Sequence, residues 1–333
     1  MLYDELSSTI EALKVPGKGI LAADESTSTI AKRFASIGIE NSEKNRRDYR
    51  TLLCTTPRLE DYICGVILYE ETFGQKDDNG LPLPRVLAEK GILSCIKVDK
   101  GLIDLPNTEG EKVSKGLDDL AERLAHYKEL GASFAKWRNV FNINESAPTM
   151  TAIKAGSEML ARYASSCQSH GIVPIVEPEV LMDGSHTIED CAEITEMVLH
   201  EVFHALFIHQ VALEYIVLKP NMVIAGKDCP EQGSPEEVGE FTVSVLRNMV
   251  PAAVPTINFL SGGQSPKEAV ANLNAMHAFG NQPWNLSFSY GRALQEDCLK
   301  AWAGKAENVQ AAQEALLKWA KSNSEASQGI FKG

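Results

Sequence analysis

Tyr215-Ile216-Val217-Leu218-Lys219-Pro220-Asn221 places an amine at the end of an apolar run. A core strand has no use for that group, and Pro220-Asn221 breaks the run, so Lys219 caps a strand rather than continuing it. The layout recurs along the chain. Gly19-Ile20-Leu21-Ala22-Ala23 ends in Asp24, and Val66-Ile67-Leu68-Tyr69 ends in Glu70. Cys95-Ile96 leads to Lys97, Phe134-Ala135 to Lys136, and Ile172-Val173-Pro174-Ile175-Val176 to Glu177. Thr256-Ile257-Asn258-Phe259-Leu260 stops at Ser261, and Leu286-Ser287-Phe288-Ser289-Tyr290 runs into Gly291-Arg292. Eight strand ends aiming polar groups at one place is the plan of a barrel active site.

Successive ends lie between 27 and 46 residues apart, room for a helix and two loops each time. Helical patterns fill the gaps. Leu117, Leu120, Ala121, Leu124 and Ala125 form a stripe with Gly131 as its stop. Ser234-Pro235-Glu236-Glu237 and Ser265-Pro266-Lys267-Glu268 each offer an N-cap serine, a proline at the first helical position and a glutamate three residues on. Alternating strands and helices predict a parallel sheet, and eight units favour closure. The expected fold is therefore α/β: an eight-stranded parallel β/α (TIM) barrel. Extra N- and C-terminal helices are expected over about 5–13 and 293–323. No linker divides residues 1–333, which are read as a single barrel domain.

Composition narrows the function. The chain has 333 residues, 44% hydrophobic and 23% charged, as expected of a globular protein with a large core. A formal net charge of −13 argues against a nucleic-acid partner, while allowing a locally basic pocket. The chain has no stretch that could span a bilayer and no signal-peptide character, so neither membrane insertion nor secretion is expected. Seven scattered cysteines without a C-x-x-C pair suit reduced thiols in a cytoplasmic protein.

A lysine attacks a carbonyl only when deprotonated, and its free pKa lies near 10.4. Desolvation and a second cation both push that value down, and Lys136 is the candidate cation. The resulting iminium is an electron sink for a neighbouring carbanion, and Glu177 is placed to move protons during its formation. A lone buried lysine is better read as a structural salt bridge to Glu177 or Glu179. With Asp24, Lys97, Lys136 and Glu177 at matching strand ends, chemistry becomes the favoured reading. Ser261-Gly262-Gly263 could turn backbone N–H groups into an anion nest, and Arg292 follows the next strand, where barrels frequently bind phosphate. A second basic set, Arg33, Lys97 and Arg138, suggests a substrate with phosphate at both ends.

Seven ordered segments then become specific: KGILAADES at 18–26, IKVDKG at 96–101, FAKWR at 134–138, VPIVEPE at 173–179, LKPNM at 218–222, FLSGGQS at 259–265 and FSYGRAL at 288–294. Together they closely resemble class I fructose-1,6-bisphosphate aldolase, from about residue 12 to residue 329. The resemblance implies that Lys219 is the Schiff-base lysine and Glu177 the proton-transfer residue, with Glu179 beside it. It implies that Asp24 takes the proton from the substrate C4 hydroxyl, and that Lys136 stabilises charge during carbinolamine formation. Ser261, Gly262 and Arg292 correspond to the C1-phosphate site; Arg33, Lys97 and Arg138 correspond to residues along the rest of the substrate and its C6-phosphate. The implied reaction is reversible cleavage of fructose 1,6-bisphosphate to dihydroxyacetone phosphate and glyceraldehyde 3-phosphate, in glycolysis and gluconeogenesis. No cofactor or metal is implied, and members are typically homotetramers.

Three departures from the family pattern stand out. Glu214-Tyr215 has tyrosine where glycine is usual, Ser28 replaces a common glycine, and the chain stops at Gly333, short of the tyrosine-ended tail of animal members. If the end is natural, another group or water must exchange the enamine proton. Two other patterns are decoys. HEVFH at 200–204 fits a zinc-protease motif but lies between strands five and six, without an evident third ligand. GKGILA at 17–22 fits a dinucleotide fingerprint but precedes its strand. A different Schiff-base aldolase would keep the lysine but not both phosphate sets. A non-catalytic sugar-phosphate scaffold would have lost Lys219, Glu177 or Asp24.

Overall fold

The structure is a computed structural model and describes residues 2–333. Eight strands close into a wholly parallel barrel: β1 Gly19–Ala23, β2 Ile63–Leu68, β3 Leu93–Lys97, β4 Ala132–Phe141, β5 Val173–Val180, β6 Val217–Leu218, β7 Thr256–Phe259 and β8 Asn285–Tyr290. Each strand pairs with its neighbour in sequence, and β8 returns to β1 through Ile20↔Ser289 and Leu21↔Tyr290. The expected barrel is thus the observed one. β6 is short because Pro220 carries no N–H. Its edges are continued by Lys219 N–H donating to Val176 O at 2.8 Å and Leu260 N–H to Pro220 O at 3.0 Å.

Side chains alternate across the barrel wall, as strand geometry requires. Leu21, Ala23, Val66, Leu68, Ile96, Ala135, Trp137, Val176, Leu218, Ile257, Phe259 and Phe288 join the large core beneath the surrounding helices. Ile20, Ala22, Ile67, Cys95, Phe134, Val173, Ile175 and Val217 form a separate core inside the barrel. Leu6, Ile10 and Leu13 from the helix Leu2–Leu13 belong to this inner core, so the N-terminal helix closes the barrel floor. Gly65 leaves room for that floor: a Cβ there would stand 2.5 Å from Phe134 Cζ.

Extending each inner row by two residues turns apolar into polar. Ala22 leads to Asp24, Cys95 to Lys97, Phe134 to Lys136 and then Arg138. Ile175 leads to Glu177 and then Glu179, and Val217 to Lys219. The site is the upper continuation of the rows that fill the barrel. Three of the eight expected ends do not follow this rule. Ser261 continues the outer row of Ile257 and Phe259. Glu70 continues the outer row after Leu68, opens the helix Glu70–Gly74, and accepts a 2.6 Å hydrogen bond from Tyr127 OH. Tyr290 faces the outer core and donates to Ala269 O at 3.3 Å.

The two serine-proline helix starts carry full capping boxes, at Ser234 with Glu237 and at Ser265 with Glu268. The stripe near residue 120 is shorter than expected. Asp119 takes φ 56° as N-cap, so the helix is Leu120–Glu129 and Leu117 lies before it. The expected C-terminal helix is two, Arg292–Trp302 and Val309–Ala326, broken where Ala303 and Gly304 both take positive φ. An antiparallel hairpin, Leu102–Asp104 with Lys112–Ser114, stands outside the barrel between β3 and β4. Strands of three residues leave no readable period, so sequence inspection missed it.

Candidate functional site

The polar ends of the inner rows line a cavity of about 760 Å³ at the C-terminal ends of the strands. At its base four buried groups form a chain. Lys219 Nζ stands 3.0 Å from Glu177 Oε1, Lys136 Nζ 2.9 Å from Glu177 Oε2, and Lys136 Nζ donates to Asp24 Oδ2 at 3.0 Å. None of the four is more than 7% exposed. Two lysines and two carboxylates alternate, so each buried ionisable group has a partner of the opposite kind.

The partners fix the protonation states. Burial alone would raise the Asp24 pKa, but the charges of Lys136, Lys219 and Lys97 hold it well below the usual carboxylate range. Glu177 is likewise buried, yet Lys136, Lys219 and Arg138 pull it below its ordinary value. Burial disfavours the Lys136 cation, but Asp24 and Glu177 outweigh it and drive its pKa far up. Lys136 is therefore a fixed positive charge bridging two ionised carboxylates.

The remaining expected residues line the same cavity. Arg138 Nη1 donates to Glu179 Oε2 at 2.8 Å, so Glu179 pairs with Arg138, while the lysine's carboxylate is Glu177. Lys97 Nζ donates to Asp99 Oδ1 at 2.6 Å and to its carbonyl at 2.9 Å. After β7, Gly262 and Gly263 take φ 44° and 85°, left-handed backbone that favours glycine, just ahead of Gln264 and the Ser265 cap. Arg292 reaches this loop: a Cβ on Gly263 would lie 3.1 Å from its Nη2. Arg33 lines the cavity with Lys97 and Arg138, on the side where β8 ends. A Cβ on Gly291 would lie 3.7 Å from Arg33 Nη2, which puts Arg33 beside the Gly291-Arg292 turn. It is carried by the helix Thr27–Ala35, which follows β1.

Several groups in and behind this wall escaped sequence reading. Glu25 is 8% exposed and its carboxylate is held by Arg33 and Arg50. Arg50, 2% exposed on the helix Glu43–Thr55, and Gln295 on Arg292–Trp302 carry no motif that would mark them. Tyr69, Asp99, Arg123 and Tyr127 also line the cavity. Ser28 lies within it, its hydroxyl 3.1 Å from that of the N-cap Ser26. Glu214 and Tyr215 form a 3₁₀ turn before β6, with the Tyr215 ring 5.7 Å from that of Tyr3. His200 and His204 are exposed on the helix Ile188–Ile208, and His209 pairs with Glu158 at 3.0 Å. Among the described residues no group of three His, Cys, Asp or Glu is arranged to hold a metal ion. No helix among them is long and apolar enough to cross a membrane.

A closed parallel barrel with a carboxylate-flanked lysine buried at its C-terminal strand ends defines a lysine-centred barrel enzyme. The family model described as fructose-bisphosphate aldolase class-I matches residues 5–333. A probable fructose-bisphosphate aldolase class 1 of Xanthomonas axonopodis pv. citri is 54% identical over 334 residues, covering 100% of both chains. A cytoplasmic isozyme of fructose-bisphosphate aldolase from Cicer arietinum is 54% identical, over 99% of this chain and 92% of its own. A solved fructose-bisphosphate aldolase from Plasmodium falciparum, in complex with TRAP and a small-molecule inhibitor, superposes with a TM-score of 0.98 at 51% identity. The match covers 100% of this chain and 96% of that one. The chain belongs to the class I fructose-bisphosphate aldolase family.

Proposed function

We propose that this protein cleaves fructose 1,6-bisphosphate reversibly into dihydroxyacetone phosphate and glyceraldehyde 3-phosphate, through an imine on Lys219 and without a metal. The observation that carries the reading is the Lys219–Glu177–Lys136–Asp24 chain at the cavity base. Lys219 passes a proton to Glu177 Oε1, 3.0 Å away, and attacks the substrate C2 carbonyl. Lys136 supports the negative charge that develops on the carbonyl oxygen as it becomes the carbinolamine hydroxyl. One of the two cations beside Glu177 has then been neutralised, so its proton affinity rises and it returns the proton to the departing hydroxyl. Water leaves and the iminium forms.

Asp24 is ionised at rest and accepts the C4 hydroxyl proton. The C3–C4 bonding pair moves into the iminium as the C4 aldehyde forms, and glyceraldehyde 3-phosphate departs. The enamine takes a proton at C3, water adds at C2, and hydrolysis releases dihydroxyacetone phosphate and free Lys219. Ser261, Gly262 and Arg292 hold the C1-phosphate. Lys97 and Arg138, with Glu179 orienting Arg138 through its 2.8 Å bond, hold the far end of the substrate. Arg33 acts from the Arg292 side.

Residues 1–333 act in this reading as one domain, and the protein works in the cytoplasm as a homotetramer. Exposed apolar side chains support the assembly: Phe207 is 81% and Ile208 59% exposed at one helix end, and Leu102 and Ile103 project from the hairpin. The chemistry is tested by borohydride reduction with dihydroxyacetone phosphate and EDTA, followed by peptide mass mapping. A three-carbon adduct on Lys219 is the expected result. A folded protein with no adduct at Lys219 would remove the mechanism.

A further inference from the structure

β1 ends at Ala23, and its ladder partners run out there: its last pair with β2 is Ala23↔Leu68 and with β8 is Leu21↔Tyr290. Asp24 therefore stands on backbone that the sheet no longer holds. The carbonyls around it are taken up instead from the outer helices. Arg50 Nη1 donates to Ala23 O, and Arg50 Nη2 donates to Glu25 O at 3.2 Å, so one guanidinium grips the chain on either side of Asp24. The same Nη1 donates to Glu25 Oε2 at 2.5 Å. Gln295 Nε2 donates to Ala22 O at 2.7 Å and to Glu25 Oε1 at 3.0 Å, and Tyr49 OH donates to Gln295 Oε1 at 3.0 Å. Arg50 and Gln295 are 2% and 1% exposed, and Arg50 is absent from the cavity wall.

We infer that Arg50 is a positioning residue for Asp24: by fixing the Ala23 and Glu25 carbonyls, it aims the carboxylate that accepts the C4 hydroxyl proton. A planar fork reaches two carbonyls and a carboxylate at once, and a lysine ammonium on a flexible stem does not reproduce that geometry. The charge alone is therefore not sufficient. The inference rests on the proposed role of Asp24, and it separates carbon–carbon cleavage from imine formation. Lys219 and Glu177 stand on β6 and β5, on the other side of Lys136 from Asp24. Slack at Asp24 should slow cleavage and leave the reaction of Lys219 with a ketone intact.

The test is Arg50→Lys in the full chain. Fructose 1,6-bisphosphate cleavage is measured beside the rate of borohydride-trapped adduct formation with dihydroxyacetone phosphate. A displacement of about 1 Å at a reacting group costs on the order of a hundredfold. The expected result is a fall in kcat of about that size, with KM and trapping rate within about twofold of wild type, and recovery of part of the loss in Arg50→Ala on adding free guanidinium. Equal loss of trapping and cleavage, or an unchanged kcat, overturns the inference. If wild type itself gives no adduct, the imine reading fails instead, a separate outcome. Should circular dichroism show Arg50→Lys unfolded, Gln295→Met decides. It frees the Ala22 carbonyl with Arg50 in place and should give the same split in smaller measure, whereas parallel loss there also overturns the inference.

Discussion

Lys136 Nζ donates to Asp24 Oδ2 at 3.0 Å across the barrel mouth, joining the fourth strand to the first. In the proposed mechanism, the pair gives the carboxylate that accepts the C4 hydroxyl proton a cation that keeps it ionised beforehand. The same ammonium lies 2.9 Å from Glu177, whose other carboxylate oxygen faces Lys219.

Asp24→Asn keeps the shape and removes the proposed proton acceptor. General acid–base groups contribute about 10²–10⁴ in rate, and cleavage should fall by that factor. Borohydride trapping of dihydroxyacetone phosphate on Lys219 should persist, since Glu177 and Lys136 remain paired. Steady-state cleavage assays and trapping on one preparation give the comparison; trapping lost in step with cleavage would assign Asp24 to imine formation.

The fold was legible because barrel strands end abruptly in polar residues, and the rows Ala22–Asp24, Phe134–Lys136 and Val217–Lys219 obey a period of two. The same rule separates Glu70, Ser261 and Tyr290: each ends an apolar run but continues an outer row, and Glu70 and Ser261 reach the cavity wall all the same. Arg50 and Gln295 had no local signal, since their function is to satisfy carbonyls of a distant segment.

Acid should unfold the protein through its site. Asp24, Glu25 and Glu177 all have folded pKa values below their unfolded ones, despite the burial that works to raise them. Groups with depressed values contribute stability that is fully present above the unfolded carboxylate range of about 3.9–4.3 and is lost as pH falls toward the folded values. The melting temperature, followed by calorimetry, should be nearly flat from pH 7 to about 5 and drop below that. Asp24→Asn, with one such group fewer, should show a shallower drop; an equal or steeper one would mean that the acid sensitivity arises elsewhere.

Arg292→Lys keeps a positive charge beside the Gly262-Gly263 loop but loses the fork that can bind two phosphate oxygens. Charge-assisted hydrogen bonds contribute about 1.5–3 kcal/mol, so KM for fructose 1,6-bisphosphate should rise roughly tenfold to a hundredfold. At saturating substrate kcat should change far less, because Lys219, Glu177 and Asp24 are untouched. Initial-rate kinetics decide: a collapse of kcat at constant KM would move Arg292 from holding phosphate to the chemical step.

Gly65 tests whether the inner core carries the site above it. A Cβ there would approach Phe134 Cζ to 2.5 Å and Leu13 Cδ2 to 3.4 Å. The ring is buried within the barrel, so it has no solvent to move into. Gly65→Ala removes some unfolded-state freedom, a gain of about 0.4–1 kcal/mol, but overpacking a filled core costs about 1–3 kcal/mol. The net should be destabilising, seen as a melting temperature lower by a few degrees. Phe134 is two residues below Lys136 on the same inner row, so the displaced ring should also disturb the Lys136–Asp24 bond and reduce kcat. Phe134→Leu frees the space that the new methyl needs, and the double variant should recover part of both losses, a favourable coupling that a double-mutant cycle measures. Strict additivity would break the link between barrel floor and catalytic lysine, leaving Gly65 a matter of backbone conformation alone.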